Sequence, residues 1–204
     1  MTEIKNKILL SADSQFHRYG IRSVSMDDIA RELKMSKKTI YQYFKDKDEI
    51  VKMVSSLHIE REKNEFEEVL KTAENALEEI FKLSKCLRKN MSEINPSLLF
   101  DIQKFHPSSW TLWEEFKNEF IRNAVLRVIA RGKKEGFFRK GLNAEVLATL
   151  RIETIEMTFN QNIFPKAKFD FTEVQLTLLD HFVHGLLTIK GQEIYDEMTN
   201  SIAK

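Results

Sequence analysis

Ser25-Met-Asp-Asp-Ile-Ala-Arg-Glu-Leu-Lys-Met-Ser-Lys-Lys-Thr-Ile-Tyr-Gln-Tyr-Phe-Lys-Asp-Lys-Asp48 reads as two short capped helices joined by a tight turn. Ser25 and Asp28 have the spacing of a capping box, so a helix opens at Met26 and turns Ile29, Ala30 and Leu33 to one side. Lys34 and Met35 form the turn. Ser36 caps a second helix through Phe44, whose inward residues Ile40 and Phe44 pack on Ile29, Ala30 and Leu33. Ala30 is small enough to let the helices approach.

Packing uses up those positions and leaves Lys37, Lys38, Thr39, Tyr41, Gln42 and Tyr43 around the remaining surface. A lysine brings a point charge for a phosphate or a donor for guanine. Glutamine matches the donor and acceptor of an adenine edge, and tyrosine and threonine hydroxyls reach phosphate oxygens. The pattern is that of a helix-turn-helix reader of double-stranded DNA.

Outward from this stretch, Ile4, Ile8, Ala12, Phe16 and Tyr19 form the expected buried stripe of a first helix that stops at Gly20. Asp46 with Glu49 is a second capping box. It opens a helix carrying Ile50, Val54 and Leu57 toward Glu68, a natural mechanical link between reader and body. From about Ile4 to Val54 the chain resembles the DNA-binding domain of the TetR family of transcriptional regulators. The resemblance is carried by Phe16 and the Tyr19-Gly20 stop, by Val24-Ser-Met-Asp-Asp-Ile-Ala30, and by the block from Ser36 to Ile50. It implies that Thr39, Tyr43 and Lys47 fall where phosphates are held, that Lys37, Lys38, Tyr41 and Gln42 fall on the base-reading side, and that Ser25 and Ser36 belong to the same DNA-binding set. Lys34 departs from the family, where glycine is common; a positive φ there costs a lysine about 1 kcal/mol more than a glycine.

The net charge of +1 looks poor for a DNA binder until it is divided. Residues 1–47 hold ten Lys/Arg against six Asp/Glu, or +4, which leaves −3 for the remainder. Basicity concentrated in the reader steers it to phosphate. The expected division is a reader at 1–47 and a helical effector-binding and dimerisation domain at 48–204. With 42% hydrophobic residues in 204, a packed core needs no staple, and the single Cys86 cannot form an internal disulfide. No leader and no long uncharged apolar run is seen, so a cytoplasmic protein with no membrane partner is expected.

Only 6 glycines and 3 prolines, with no alternating run, predict an all-α fold. Helices are expected at Ala73 to Lys89, Pro96 to Phe105 and Ser108 to Lys134. Asn143 caps one carrying Val146, Leu147, Leu150, Ile155, Met157 and Phe159, and Thr172 caps another through Leu187. A last helix runs from Gln192 to Ile202. Helices apolar on two sides bury both. The resemblance implies that the long pair meets its copies in a homodimer through Leu147, Leu150, Leu179, Phe182, Val183 and Leu186, matching a palindromic operator.

No His-Glu-x-x-His, glycine-rich phosphate loop or Cys-x-x-Cys is present, so no enzyme, metal or cofactor is expected. His181 and His184 lie one turn apart without an evident third ligand. The body is rich in large side chains, Met91 and many aromatics among them, most of them core. The resemblance implies a pocket among them for a small apolar or aromatic effector, with His58, Phe66, Phe100, Gln103, His106, Trp110, Trp113, Phe159 and Asn160 as candidate walls. The leading expectation is therefore a ligand-responsive repressor. The alternative is a helical small-molecule-binding or scaffold protein without regulatory DNA binding.

Overall fold

A computed structural model describes residues 2–91, 95 and 97–200. The helices are α1 (Glu3–Tyr19), α2 (Met26–Glu32), α3 (Lys37–Tyr41), α4 (Lys47–Thr72), α5 (Ala76–Met91), α6 (Leu98–Phe105), α7 (Pro107–Glu115), α8 (Arg122–Glu135), α9 (Ala144–Met157), α10 (Phe171–His184) and α11 (Ile189–Asn200). A π-helical segment, Phe116–Ile121, joins α7 to α8. No strand forms among the described residues, where one isolated bridge links Phe138 and Leu187. The fold is all-α, as the sequence implies.

The chain divides into two compact units, Met1–Glu62 with Glu93–Glu115, and Lys63–Ser92 with Phe116–Lys204. The first unit takes in more than residues 1–47. It adds the opening turns of α4 and the helices α6 and α7.

In the first unit, α1 buries Ile8, Leu9, Ala12 and Phe16, whereas Ile4 and Tyr19 of the expected stripe are exposed. Gly20 stops α1 with its N–H on the Phe16 carbonyl (2.9 Å) at φ 80 and ψ 151, a positive φ without the left-handed helical ψ. The Ser25 capping box forms: Ser25 Oγ accepts the Asp28 N–H (3.2 Å) and the Asp28 carboxylate accepts the Ser25 N–H (2.9 Å). Lys34 adopts φ 53 and closes α2, its N–H on the Arg31 carbonyl (3.1 Å) and the Met35 N–H on that of Ala30 (2.9 Å). That is a Schellman motif with lysine where glycine is favoured.

Regular α3 ends at Tyr41 rather than Phe44, since the final turn tightens and Tyr43 N–H bonds the Ile40 carbonyl three residues back (3.0 Å). The second box is displaced by one residue: Asp46 Oδ1 accepts the Glu49 N–H (2.9 Å), while the Glu49 carboxylate takes the Lys45 N–H (2.8 Å). Ile29, Ala30, Ile40, Phe44, Ile50, Val51 and Ile102 complete this core, with Leu57 and Trp110 packed at its margin.

The second unit has its own core of Ala76, Leu77, Ile80, Ile129, Phe138, Val183, Leu186 and Tyr195. Its helix α5 starts at Ala76 rather than Ala73 because Asn75 Oδ1 accepts the N–H groups of Leu77 and Glu78 (3.0 Å each). Asn143 caps α9 as expected, but Asp170 caps α10 in place of Thr172, accepting the Glu173 N–H (2.8 Å). The helix expected as one piece from Ser108 to Lys134 spans α7, the π-helical segment and α8. The last helix, α11, begins at Ile189, ahead of the expected Gln192. The expected helix start at Pro96, the end at Ile202 and the Met91 side chain lie outside the described residues. Close packing at α8 requires Gly132, where a Cβ would fall 2.2 Å from the Phe138 ring.

Candidate nucleic-acid interface

The reader is built from the inside. Ile40 and Phe44 are buried, which fixes the rotation of α3 and turns its other residues out. Lys37, Lys38, Tyr41 and Gln42 are exposed, and Thr39 and Tyr43 are half-buried. Lys38, Tyr41 and Gln42 side chains make no hydrogen bond among the described residues, so their polar groups face water. Ser36 holds the first turn: its Oγ accepts the Thr39 N–H (3.0 Å) and lies 2.8 Å from Thr39 Oγ1. Ser25 is spent on its capping box with Asp28, an arrangement that orders α2.

Two of the lysines are engaged. Lys37 Nζ sits 2.7 Å from Asp27 Oδ2, both side chains half-exposed, and the bond to Asp27 raises the ammonium's pKa. An exposed pair of this kind is held weakly and opens readily to a phosphate. Lys47 Nζ donates to the Ile21 carbonyl (2.6 Å), and partial burial lowers its pKa despite the nearby Asp101, Asp48 and Asp28. Lys47 thereby ties the start of α4 to the loop between α1 and α2.

The α6–α7 pair is fastened to this reader within the first unit. The Arg22 N–H donates to Asp101 Oδ2 (3.1 Å), the Asn95 N–H to the His17 carbonyl (2.9 Å), and His106 Nδ1 lies 2.7 Å from Asp48 Oδ1. Sequence reasoning gave His106 to an effector wall. The structure buries it against α4, where it braces the reader. Phe100 and Gln103, two other candidate walls, are exposed, and Trp110 and Trp113 are half-buried in the same unit. His58 lies with its ring 5.6 Å from that of His17.

Of the remaining candidates, Phe66 belongs to the second unit and meets the Phe120 ring edge-on at 5.2 Å. Phe120 stacks on Phe116 at 5.3 Å. Phe159 sits 4.8 Å from Phe171, and exposed Asn160 accepts the Asn162 N–H within its own turn (2.9 Å). The nine candidates are thus divided between two units. Phe116 and Phe120 are two of the large side chains of the body that were not among the candidate walls; their i, i+4 spacing was the available signal.

The expected dimer face divides as well. Leu150 is 54% exposed, and Val146 one turn earlier is 60% exposed. Leu147, Leu179 and Phe182 are partly buried against the second unit's core. Val183 and Leu186 are fully buried in it and have no surface left for a partner, which removes them from the interface. Among the described residues no group of three His, Cys, Asp or Glu side chains gathers for a metal, and no helix is long and apolar enough to cross a membrane.

A capped helix pair on its own core, with a basic, hydroxyl-bearing second helix facing water, is the arrangement of a helix-turn-helix. Residues 8–54 match the model of the bacterial regulatory proteins of the tetR family. The chain is 26% identical over 166 residues to an uncharacterised HTH-type transcriptional regulator, YvaF, of Bacillus subtilis (strain 168), covering 80% of this chain and 86% of that one. Its fold resembles that of a putative transcriptional regulator from Saccharomonospora viridis in complex with choline (TM-score 0.74, 21% identity, 92% of this chain and 100% of that chain). It also resembles a TetR-family regulator from Agrobacterium tumefaciens (TM-score 0.74, 16% identity, 90% and 97%). The segment that matches the tetR-family model, residues 8–54, runs from α1 into α4 and so contains the whole helix-turn-helix.

Proposed function

We propose that the protein is a cytoplasmic, homodimeric repressor that holds a palindromic DNA operator until a small-molecule effector releases it. The observation that carries this reading is the reader itself, in which Ile40 and Phe44 are buried and the outward Lys38, Tyr41 and Gln42 are left unengaged. In this reading Lys37, Lys38, Tyr41 and Gln42 meet base edges, while Thr39 and Tyr43 hold phosphates and Lys47 positions the start of α4. Two readers are needed because one offers too few contacts for useful specificity, and they must stand about 34–36 Å apart to enter successive major grooves. The exposed Val146 and Leu150 of α9 are suited to the contact between copies.

The effector is assigned to the second unit, where Phe66, Phe116 and Phe120 form an aromatic cluster around the π-helical segment. Such segments recur at functional sites. The chain crosses between units at Glu62/Lys63, Ser92/Glu93 and Glu115/Phe116. A ligand that shifts the second unit's part of α4 or the π-helical segment therefore pulls directly on helices fastened to the reader. Mobility shift on the DNA upstream of the protein's own coding region, at several salt concentrations, tests the reading. A complex that weakens steeply with salt and is lost with Gln42→Ala and Lys38→Ala supports it. DNA affinity no greater than for unrelated sequence favours the alternative, a small-molecule-binding or scaffold protein.

A further inference from the structure

On α9, in the second unit, a cation is buried without an anion. Arg151 is 5% exposed and lies on the helix face that also buries Ala148 and Ile152. Its Nη1 is buried without a hydrogen-bond partner, and the guanidinium forms no ion pair among the described residues. Burial lowers its pKa to about 10, which still leaves it charged at neutral pH. An isolated buried charge is among the most unfavourable groups a fold can hold, and arginine cannot escape by shedding its proton.

The nearby acids are already used. Along α9, Arg151 falls between two ion pairs, Glu145 with Arg122 and Glu156 with Lys117 of the π-helical segment (2.6 Å). Glu153 is exposed. On the elements packed against α9, Glu119 and Glu173 are exposed, Glu135 is held by Arg131 (2.9 Å), and Asp180 lies 3.3 Å from Tyr195 Oη. The buried Gln175 amide donates to Thr158 Oγ1, whose hydroxyl in turn donates to the Ile155 carbonyl (2.7 Å).

We infer that Arg151 is the anion-recognising group of the effector site, and that the effector is an amphiphile with a carboxylate or phosphate head and an apolar body. This rests on the ligand-responsive reading above and names the chemistry of its ligand. A planar guanidinium suits either head, because both accept two parallel N–H bonds. The aromatic rings of Phe66, Phe116 and Phe120 in the same unit are suited to the apolar body. A choline-like cation is excluded at this position by like charge.

Calorimetric titration of the full-length protein with octanoate, octyl phosphate, octanol and choline tests the assignment. One of the two anions binds about ten- to a hundredfold more tightly than octanol, the worth of a charge-assisted hydrogen bond, and the better anion identifies the head group. Choline gives no heat. Arg151→Met removes the preference, and Arg151→Lys keeps part of it. Without ligand, Arg151→Met melts no lower than wild type, because it removes a charge that has no partner. Equal affinity for octanol and both anions overturns the inference, as does a preference that survives Arg151→Met, or a lower melting temperature for that variant. Operator binding followed by fluorescence anisotropy in the same titrations separates the two readings. An Arg151-dependent anion that leaves DNA affinity unchanged refutes the effector role of this site and the ligand-responsive reading with it. Release by octanol with no anion preference retires the anion assignment alone.

Discussion

Lys34→Gly stabilises this protein, and the size of the gain follows from the backbone. Lys34 holds φ 53 in the Schellman turn that closes α2, and its side chain is exposed. A left-handed conformation costs a residue with a Cβ about 1–2 kcal/mol. Glycine relieves that strain but loses about 0.5–1 kcal/mol through greater freedom in the unfolded chain. The difference is a net gain of about 0.5–1 kcal/mol, or roughly 1–4 °C in melting temperature for a chain of this size. Lys34→Ala is the control, because it removes the same charge and keeps the Cβ. Urea unfolding followed by circular dichroism should show a higher midpoint for Lys34→Gly with an unchanged slope, and no such rise for Lys34→Ala. If the two variants unfold together, backbone strain at residue 34 is not stored in the fold and the reasoning fails.

Gly132→Ala should destabilise by about 1–3 kcal/mol, because the added Cβ meets the fully buried Phe138 ring, outweighing alanine's better helix propensity; thermal melting checks this. Glu79, 1% exposed and bonded by Arg127 (2.6 Å) and Arg131 (3.2 Å), should cost about 3 kcal/mol as Glu79→Ala, since Arg127 loses its carboxylate and Arg131 keeps only Glu135, while both retain some contact with water; no loss in urea unfolding would mean the arginines re-pair. His17 and Asp13 set a pH window. The Asp13 carboxylate 3.0 Å from Nδ1 raises the His17 pKa against burial, while Asp13 is lowered overall, its burial being outweighed by the hydrogen bond and charge of His17 with help from His58 and Arg61. The histidine's contribution is complete below its unfolded value of 6.5 and lost as pH rises through the folded value; the carboxylate's is complete above 3.8 and lost as pH falls through its folded value. Melting temperature against pH should therefore fall on the alkaline side, and His17→Gln should flatten that limb. Leu150→Glu, at a 54% exposed position, should leave each protomer folded and lower the mass seen by light scattering; an unchanged dimer would move the interface elsewhere.

The reader was legible because its determinants are local. Ser25 and Asp28, Ser36 and Thr39, and the spacing of Ile29, Ala30, Ile40 and Phe44 act within a few residues of each other, and each forms the contact its spacing implies. Even the strain at Lys34 was visible, since a Schellman turn demands a positive φ whatever residue occupies it. What sequence could not supply is long-range. Nothing local says that Asp101 caps the Arg22 N–H, 79 residues away, or that His106 meets Asp48, 58 residues away. Those contacts fasten α6, which carries the expected effector walls Phe100 and Gln103, to the reader.

Arg151 shows the same limit from the other side. Its sequence signal is plain afterwards, a lone arginine between Leu150 and Ile152 on an otherwise apolar stretch of α9. Periodicity gave no reason to single it out, because a long arginine at the margin of an apolar face ordinarily runs its stem along the surface and keeps its head in water. Whether the head escapes depends on what α8, α10 and the π-helical segment place around it. Here they leave it 5% exposed, with the carboxylates along α9 either paired or turned to solvent. Residues that make the fold announce themselves by pattern, and those that wait for a ligand appear as an unbalanced charge only once the partners of every neighbour have been assigned.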